Sequence, residues 1–244
     1  MDLKKRIENV GYYHAILTRE ELSELKADVS KYDALLAQLM LERIREWKQI
    51  IEERLKNSKI KFFMMPGNDD TLKIDDIINS SNYIVNPEGK VVQINEQCEM
   101  ISTGYSNPTP WNTPRECSEE ELAKKIDNMT REVKDLQKAI FHFHCPPYGS
   151  GLDMAPKLDK ELRPTVTIGE FLKVPVGSTA VADAIKKYQP LAGLHGHIHE
   201  SAGAIQIGRT MCFNPGSEYQ SGILRAYIID VEQGKIKQYL RVET

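Results

Sequence analysis

The order of apolar and polar positions divides the chain into a helical first stretch and a later part where short strands alternate with helices and long loops. Residues 1–57 read almost wholly helical. Thr18-Arg19-Glu20-Glu21 has the form of a capping box, in which the first and fourth side chains satisfy each other's backbone N–H, and it opens a helix carrying Leu22 and Leu25. A longer pattern follows: Leu35, Leu36, Leu39, Ile44, Trp47, Ile51 and Leu55 recur at helical spacing, a stripe that predicts core packing. Glu42, Arg43, Arg45, Glu46, Lys48, Glu52 and Glu53 supply a solvated face rich in possible ion pairs.

The period then changes. Lys59–Met65 is a strand-like run stopped by Pro66-Gly67. A helical turn is predicted around Asp75–Asn79, and short strands near Asn82–Val85 and Lys90–Ile94 are joined by a turn at Asn86-Pro87-Glu88-Gly89. Gly104–Glu116, rich in Pro, Asn, Ser and Thr, reads as an ordered surface loop. Ser118-Glu119-Glu120-Glu121 is a second capping box, opening a helix to about Leu136, and Ala139–His144 is a buried strand. Residues 147–175 form a long, irregular, Pro- and Gly-containing stretch of a length that is usually functional or mobile. Gly177-Ser178-Thr179 caps a helix through Tyr188, and Leu191–Leu194 leads as a strand into Gly196-His197-Ile198-His199. Ala204–Ile207, Thr210–Phe213, Ile223–Val231 and Lys235–Val242 then alternate as strands of an antiparallel second half. No repeat or domain linker interrupts the chain, so it reads as a single domain: a helical region 1–57 and a core 58–244. The long helix near residues 32–56 offers a surface for self-association, so a homo-oligomer is one expectation.

Composition narrows the function classes. Over 244 residues, 32 Lys and Arg against 35 Asp and Glu leave a net charge of −3, which gives no global field for a nucleic-acid backbone. Nucleic acid is therefore not the expected partner. No apolar run is long enough to cross a bilayer, and Met1-Asp2-Leu3-Lys4-Lys5-Arg6 leads into polar sequence rather than a signal-peptide core, so a cytoplasmic location without membrane contact is expected. Cys98, Cys117, Cys145 and Cys212 are too dispersed for a zinc-ribbon or redox pair. The histidines are clustered instead: five of six lie at 142, 144, 195, 197 and 199.

Four segments share one arrangement, a strand that ends at a Gly- or Pro-marked turn bearing polar side chains. They are Pro66-Gly67-Asn68-Asp69-Asp70, His142-Phe143-His144-Cys145-Pro146-Pro147, Gly196-His197-Ile198-His199-Glu200 and Asn214-Pro215-Gly216-Ser217. Strand ends along one sheet edge are where α/β proteins collect ligands, so these loops are expected to converge. Imidazole with amide and carboxylate oxygen suits Zn, Mn or Fe. Read singly, Asn-Asp-Asp after Gly is an ordinary turn, histidines two apart can line a wet strand face, and Pro-Pro ends a strand.

In this order the segments resemble the calcineurin-like metallophosphoesterase family, whose motifs are a Gly-Asn-His-Asp/Glu turn, a strand-terminal His often followed by Pro-Pro, and Gly-His-x-His. The resemblance spans roughly residues 60–220 and is similar in detail to small bacterial and archaeal phosphoesterases, in which Gly104–Trp111 and Asn214–Ser217 have counterparts. It implies an α/β fold, a four-layer α-β-β-α sandwich, and a hydrolase that cleaves a phosphomonoester or phosphodiester of a small molecule by attack of metal-bound hydroxide. Family members hold two divalent ions (Mn, Fe or Zn) about 3.5–4 Å apart. Residue by residue, the resemblance assigns Asn68, His144 and His197 to the second metal and His199 to the first. His142 and His195 match no ligand position; they either orient the ligands or pack beside them. Tyr105, Trp111 and Tyr148 either stack on a substrate ring or hold their loops down.

Two departures bear on activity. Asp69 stands where most relatives have a histidine that contacts phosphate or protonates the leaving group. A carboxylate can act as an acid there only if burial or a neighbouring negative charge, such as Asp70, raises its pKa. The family's opening Asp-x-His and Gly-Asp motifs, which supply most of the first metal's ligands, have no match in residues 1–66. The expectation is a chain lacking its first strands and an N-terminal segment, or else a natural short form that binds one metal or none and serves as a catalytically silent binding or regulatory protein.

Overall fold

The computed structural model describes residues 3–244; the first two positions of the leader reading, Met1 and Asp2, lie outside the described residues. By mutual contact the chain forms two compact units. One comprises the chain up to Met64 with Asp70–Asn86 and Glu218–Ile223; the other comprises Met65–Asp69, Pro87–Ser217 and Leu224–Thr244.

The first unit holds helices α1 (Leu3–Asn9), α2 (Arg19–Ala27) and α3 (Val29–Leu55), strand β1 (Phe62–Phe63), helix α4 (Ile74–Asn79) and strand β2 (Ile84–Val85). The capping box forms as its sequence predicts, with Glu21 N–H on Thr18 Oγ1 and Thr18 N–H on Glu21 Oε2. Asp28 then caps α3 through Ser30 N–H. A 27-residue helix is about 40 Å long, and α2, the six residues of α4 and strand β2 pack against it. The core is correspondingly small: Ile44, Ile74, Ile78 and Ile84, flanked by Met40, Leu41, Ile51, Phe62 and Met64. The stripe expected to pack is thus buried only in part, since Trp47 remains 48% exposed. The strand expected over 59–65 shrinks to Phe62–Phe63 because β2 offers just two partners, Ile84 and Val85.

The second unit contains β3 (Val91–Asn95), β4 (Cys98–Thr103), α5 (Glu119–Thr130), β5 (Ile140–Phe143), the short strands β6 (Met154–Pro156), β7 (Val166–Thr167), β8 (Glu170–Phe171) and β9 (Lys173–Pro175), α6 (Thr179–Tyr188), β10 (Ala192–Leu194), β11 (Gly203–Ile207), β12 (Thr210–Asn214), β13 (Arg225–Glu232) and β14 (Lys235–Glu243). Six strands make one mixed sheet in the order β11-β12-β10-β5-β4-β3. Its four inner strands, β12, β10, β5 and β4, are mutually parallel, and the edge strands β11 and β3 run antiparallel to their neighbours. The four strands after Ala204 pair antiparallel as their pattern predicts, β11 with β12 and β13 with β14, while β12 also runs parallel to β10 on its other side. Strand β4 lies inside a run with no alternation, because Met100, Ile101, Ser102 and Thr103 are all buried, and period-2 reading passes over it.

On β5, Phe141 and Phe143 point into a core with Leu122, Ile126 and Met129 of α5 and Val181, Ala184 and Ile185 of α6. Each fully buried Phe, Leu, Ile or Val among them contributes about 1.5–3 kcal/mol. Both helices start on strong caps, Ser118 with Glu121 for α5 and Ser178 for α6. Helix α5 stops at Thr130, short of the expected Leu136, and Asp135 instead caps a separate 3₁₀ turn through Gln137 N–H. Phe213 of β12 packs on Tyr227 and Tyr239 of the β13–β14 hairpin, with ring centroids 5.1 Å apart in each pair, so the hairpin adds a further β layer. The stretch 147–175 carries β6 paired with β9 and β7 with β8.

Candidate functional site

The parallel strands β4, β5, β10 and β12 end along one edge, and the chain leaving each is tied to its neighbour. His144 N–H donates to Thr103 O (2.9 Å), Gly196 N–H to His144 O (2.9 Å) and His195 N–H to Phe213 O (2.8 Å). Asn68 joins this edge through the loop that follows β4: Arg115 N–H donates to Asn68 O at 3.0 Å. Alternation along β5 turns the phenyl rings of Phe141 and Phe143 to the core and leaves His142, and His144 just beyond the strand, on the opposite face.

Three side chains meet there. Asn68 Oδ1 lies 2.9 Å from His144 Nε2 and 3.0 Å from His197 Nδ1, and the two imidazole centroids are 5.1 Å apart. The amide is held in that orientation because its Nδ2 donates to Thr113 Oγ1 (2.9 Å) and, more weakly, to Asp69 Oδ1 (3.3 Å). His197 reaches Asn68 from a left-handed backbone, φ 65°, at the centre of a three-residue turn closed by Ile198 N–H on Gly196 O at 2.7 Å. Such a turn is strained, and residues held so cost about 1–3 kcal/mol and cluster at functional sites. Close packing explains Gly67: a Cβ there would lie 2.9 Å from His144 Cε1.

Burial and mutual repulsion among the histidines push His144 down to about 3, and burial with the nearby His199 pushes His197 down to about 4. Both are therefore neutral at pH 7, each with a nitrogen lone pair available to a ligand. His195 is fully enclosed and also lowered to about 4 by burial; its Nδ1 faces Phe143 O at 2.9 Å and its Nε2 has no hydrogen-bond partner among the described residues. With Nδ1 as donor, His195 braces β5 against β10. His142, lowered to about 4 by burial, lies 3.4 Å from Ser102 Oγ.

Asp69 and His199 stand at the exposed margin of this group. Desolvation of its carboxyl and then the charge of Glu116 raise the pKa of Asp69, against a lowering influence of His199. The neighbour responsible is Glu116 rather than Asp70. Glu116 itself is held below the usual carboxylate range: burial works to raise it, but hydrogen bonds from the hydroxyls and N–H groups of Thr109 and Thr113 outweigh that. Thr113 and Glu116 were not among the residues singled out from the sequence, although Thr113-Pro114-Arg115-Glu116 has the Thr-x-x-Glu spacing of a capping box. Asn214 is a scaffold: its Nδ2 donates to Ile198 O (2.9 Å) and its Oδ1 accepts from Gly216 N–H (2.9 Å), while Ser217 N–H holds His199 O at 3.1 Å.

Of the ring-bearing loop residues, Tyr105 packs on the core with Lys125 Nζ 4.1 Å above its ring, whereas Trp111 is 63% and Tyr148 48% exposed. Two neutral imidazoles and an amide oxygen make a donor set that fits one divalent ion of the Zn, Mn or Fe type. Among the described residues no group of three or more His, Cys, Asp or Glu is arranged to hold a metal. No described helix is long and apolar enough to cross a membrane.

No protein-family model matches the chain. An uncharacterized protein of Methanocaldococcus jannaschii, MJ1162, is 33% identical over 170 residues, covering 68% of this chain and 69% of that protein. Among solved structures, one crystal structure aligns with a TM-score of 0.54 at 17% identity, covering 87% of this chain and 72% of the other. TT1561 of Thermus thermophilus aligns with a TM-score of 0.49 at 16% identity, over 76% and 73%. The fold is the metallophosphoesterase-like α/β fold, and the chain belongs to the same family as MJ1162.

Proposed function

We propose that the chain is a metal-dependent phosphoesterase acting on a small-molecule phosphomonoester or phosphodiester. One observation carries the reading: Asn68 Oδ1 lies within 3.0 Å of ring nitrogens from both His144 and His197, three donors delivered by three separate loops. Asn68, His144 and His197 would hold a divalent ion, with His199 a further imidazole at the margin. When bound, such an ion offsets phosphoryl charge and acidifies a water molecule. The protein's own part is to keep both imidazoles neutral by burial and to fix the Asn68 amide through Thr113. Asp69, its pKa raised by desolvation and by Glu116, is suited to keep a proton longer than a free carboxyl and to hand it to a leaving oxygen. Hydrolysis of bis(p-nitrophenyl) phosphate in added MnCl₂, with the His197→Ala variant in parallel, tests this; undiminished turnover by the variant refutes it.

A second reading, a silent binding protein with this fold, is favoured by the absence of a three-residue His/Cys/Asp/Glu group among the described residues. Calorimetric titration with Mn²⁺ separates the two. Ion binding without turnover on any phosphoester supports the second.

A further inference from the structure

The loop between β4 and α5 is built to present one ring. Thr109 and Thr113 each give a backbone N–H and a hydroxyl to the single carboxylate of Glu116, so residues 109–113 form a segment gripped at both ends. Inside it Trp111 N–H donates to Thr109 Oγ1 at 3.2 Å, and Asn112 takes a left-handed φ of 51° that turns the chain back. The base is fastened as well: Ser106 N–H donates to Arg115 O (3.0 Å) and Cys117 N–H to Ser106 O (3.1 Å). A loop pinned this thoroughly does not depend on its tryptophan for packing, and Trp111 is largely in water, 63% exposed. A large rigid ring held in water on a fixed loop loses little entropy on binding.

Its location follows from the same hydrogen bonds. Thr113 Oγ1 touches Asn68 Nδ2 at 2.9 Å, and Trp111 is two residues from Thr113, so their Cα atoms lie within about 7.6 Å of each other. Pro108, Thr109, Pro110, Asn112, Thr113 and Pro114 surround it in sequence with no charged side chain, which favours a flat uncharged group over a second anion. Tyr148, exposed in the loop after His144, is another aromatic on a site-bearing loop.

We propose that Trp111 is the stacking surface for a flat ring carried by the substrate, so that the phosphoester is one of a nucleoside or an aryl group. This rests on the phosphoesterase reading for the chemistry but not for ring binding. Stacking on an aromatic side chain typically changes affinity by about ten- to a hundredfold when that side chain is removed.

The test uses the full chain carrying Trp47→Phe, which leaves Trp111 as its single tryptophan. It is titrated with phenyl phosphate, adenosine monophosphate and glycerol 2-phosphate while indole emission is followed. A saturable change with a ring-bearing ligand and none with glycerol 2-phosphate is expected, and which ring ligand acts separates an aryl from a nucleoside source. In kinetics, Trp111→Ala should raise KM for the ring-bearing ester about ten- to a hundredfold with kcat little changed, Trp111→Phe should restore most of the loss, and glycerol 2-phosphate should be cleaved as before. Absence of any saturable change with both ring ligands, or an equal loss on ring-bearing and ringless esters, overturns the proposal. Saturable ring binding by a chain that hydrolyses no ester leaves the ring site standing and removes the phosphoesterase reading instead.

Discussion

Lowering the pH from 7.5 to 5 should destabilise the unit built on the six-stranded sheet well before its carboxylates titrate, because that unit buries neutral imidazoles. His195 is the clearest case. It is 6% exposed, its Nδ1–H is used on Phe143 O, and no group is placed to receive a proton's charge at Nε2. Burial lowers it to about 4 in the folded chain, against about 6.5 in an unfolded one. Between those values the unfolded state holds a proton that the folded state does not. Stability is therefore full above about pH 6.5, falls as pH drops through the window and levels off below the folded value. The slope is about 1.4 kcal/mol per pH unit for each histidine, and His195 alone accounts for about 3 kcal/mol over the whole window. His142, His144 and His197 are lowered as well and steepen the slope.

Urea unfolding in EDTA, followed by far-ultraviolet circular dichroism at half-unit pH steps, measures this directly. The stability-versus-pH slope should correspond to more than one proton between pH 6 and 5, and His195→Gln, which keeps an N–H for Phe143 O, should reduce it by close to one. Carboxylates held low, such as Glu116 and Asp127, lose their contribution only below about pH 4.5 and leave this window clean. A stability that stays flat from pH 7.5 to 5, or an unchanged slope in His195→Gln, would refute the reasoning, since either means that the histidines protonate without cost in the fold.

Thr113→Val removes the hydroxyl between Asn68 Nδ2 and Glu116 while keeping the shape; Mn²⁺ affinity by calorimetry should fall about ten- to a hundredfold, with Thr113→Ser near wild type. Gly67→Ala puts a methyl 2.9 Å from His144 Cε1, so the ring must shift; both ion affinity by calorimetry and the unfolding midpoint should fall. Cys98, pushed up by burial to about 11, and Cys145 and Cys212, pushed up to about 12, should resist iodoacetamide at pH 8 in the native chain and react after urea; rapid native labelling of all three would contradict their burial.

What could be read from the sequence was what the chain encodes locally. Thr18 with Glu21, Ser118 with Glu121, and Ser178 before α6 each satisfy an N–H within three residues, and all three form. The hairpin at Gly208 and the hinge at Gln233-Gly234 follow from left-handed glycines in the same way. The strand-end segments at Asn68, His144 and His197 were visible because polar residues after a stop in a hydrophobic run are a local signal as well. Their convergence was an inference from sheet logic, and the parallel order β12-β10-β5-β4 supplies its physical basis, since four parallel strands must end on the same edge.

The parts that stayed hidden depend on partners distant in sequence. Strand β4 is recognisable only once β5 and β3 flank it, because Cys98-Glu99-Met100-Ile101-Ser102-Thr103 carries neither alternation nor a turn signal. Thr113 looks like an ordinary loop threonine until Asn68, 45 residues earlier, donates to it. Glu116 carries one local signal, the Thr-x-x-Glu spacing to Thr113, but its reach is non-local: it closes the Trp111 loop through Thr109 and Thr113, fixes the Asn68 amide through Thr113, and raises Asp69 by its charge. A neutral glutamine there would keep an oxygen for the threonine donors but lose the charge. Glu116→Gln should therefore lower the Asp69 pKa while largely preserving the loop, which separates the carboxylate's electrostatic effect from its architectural one.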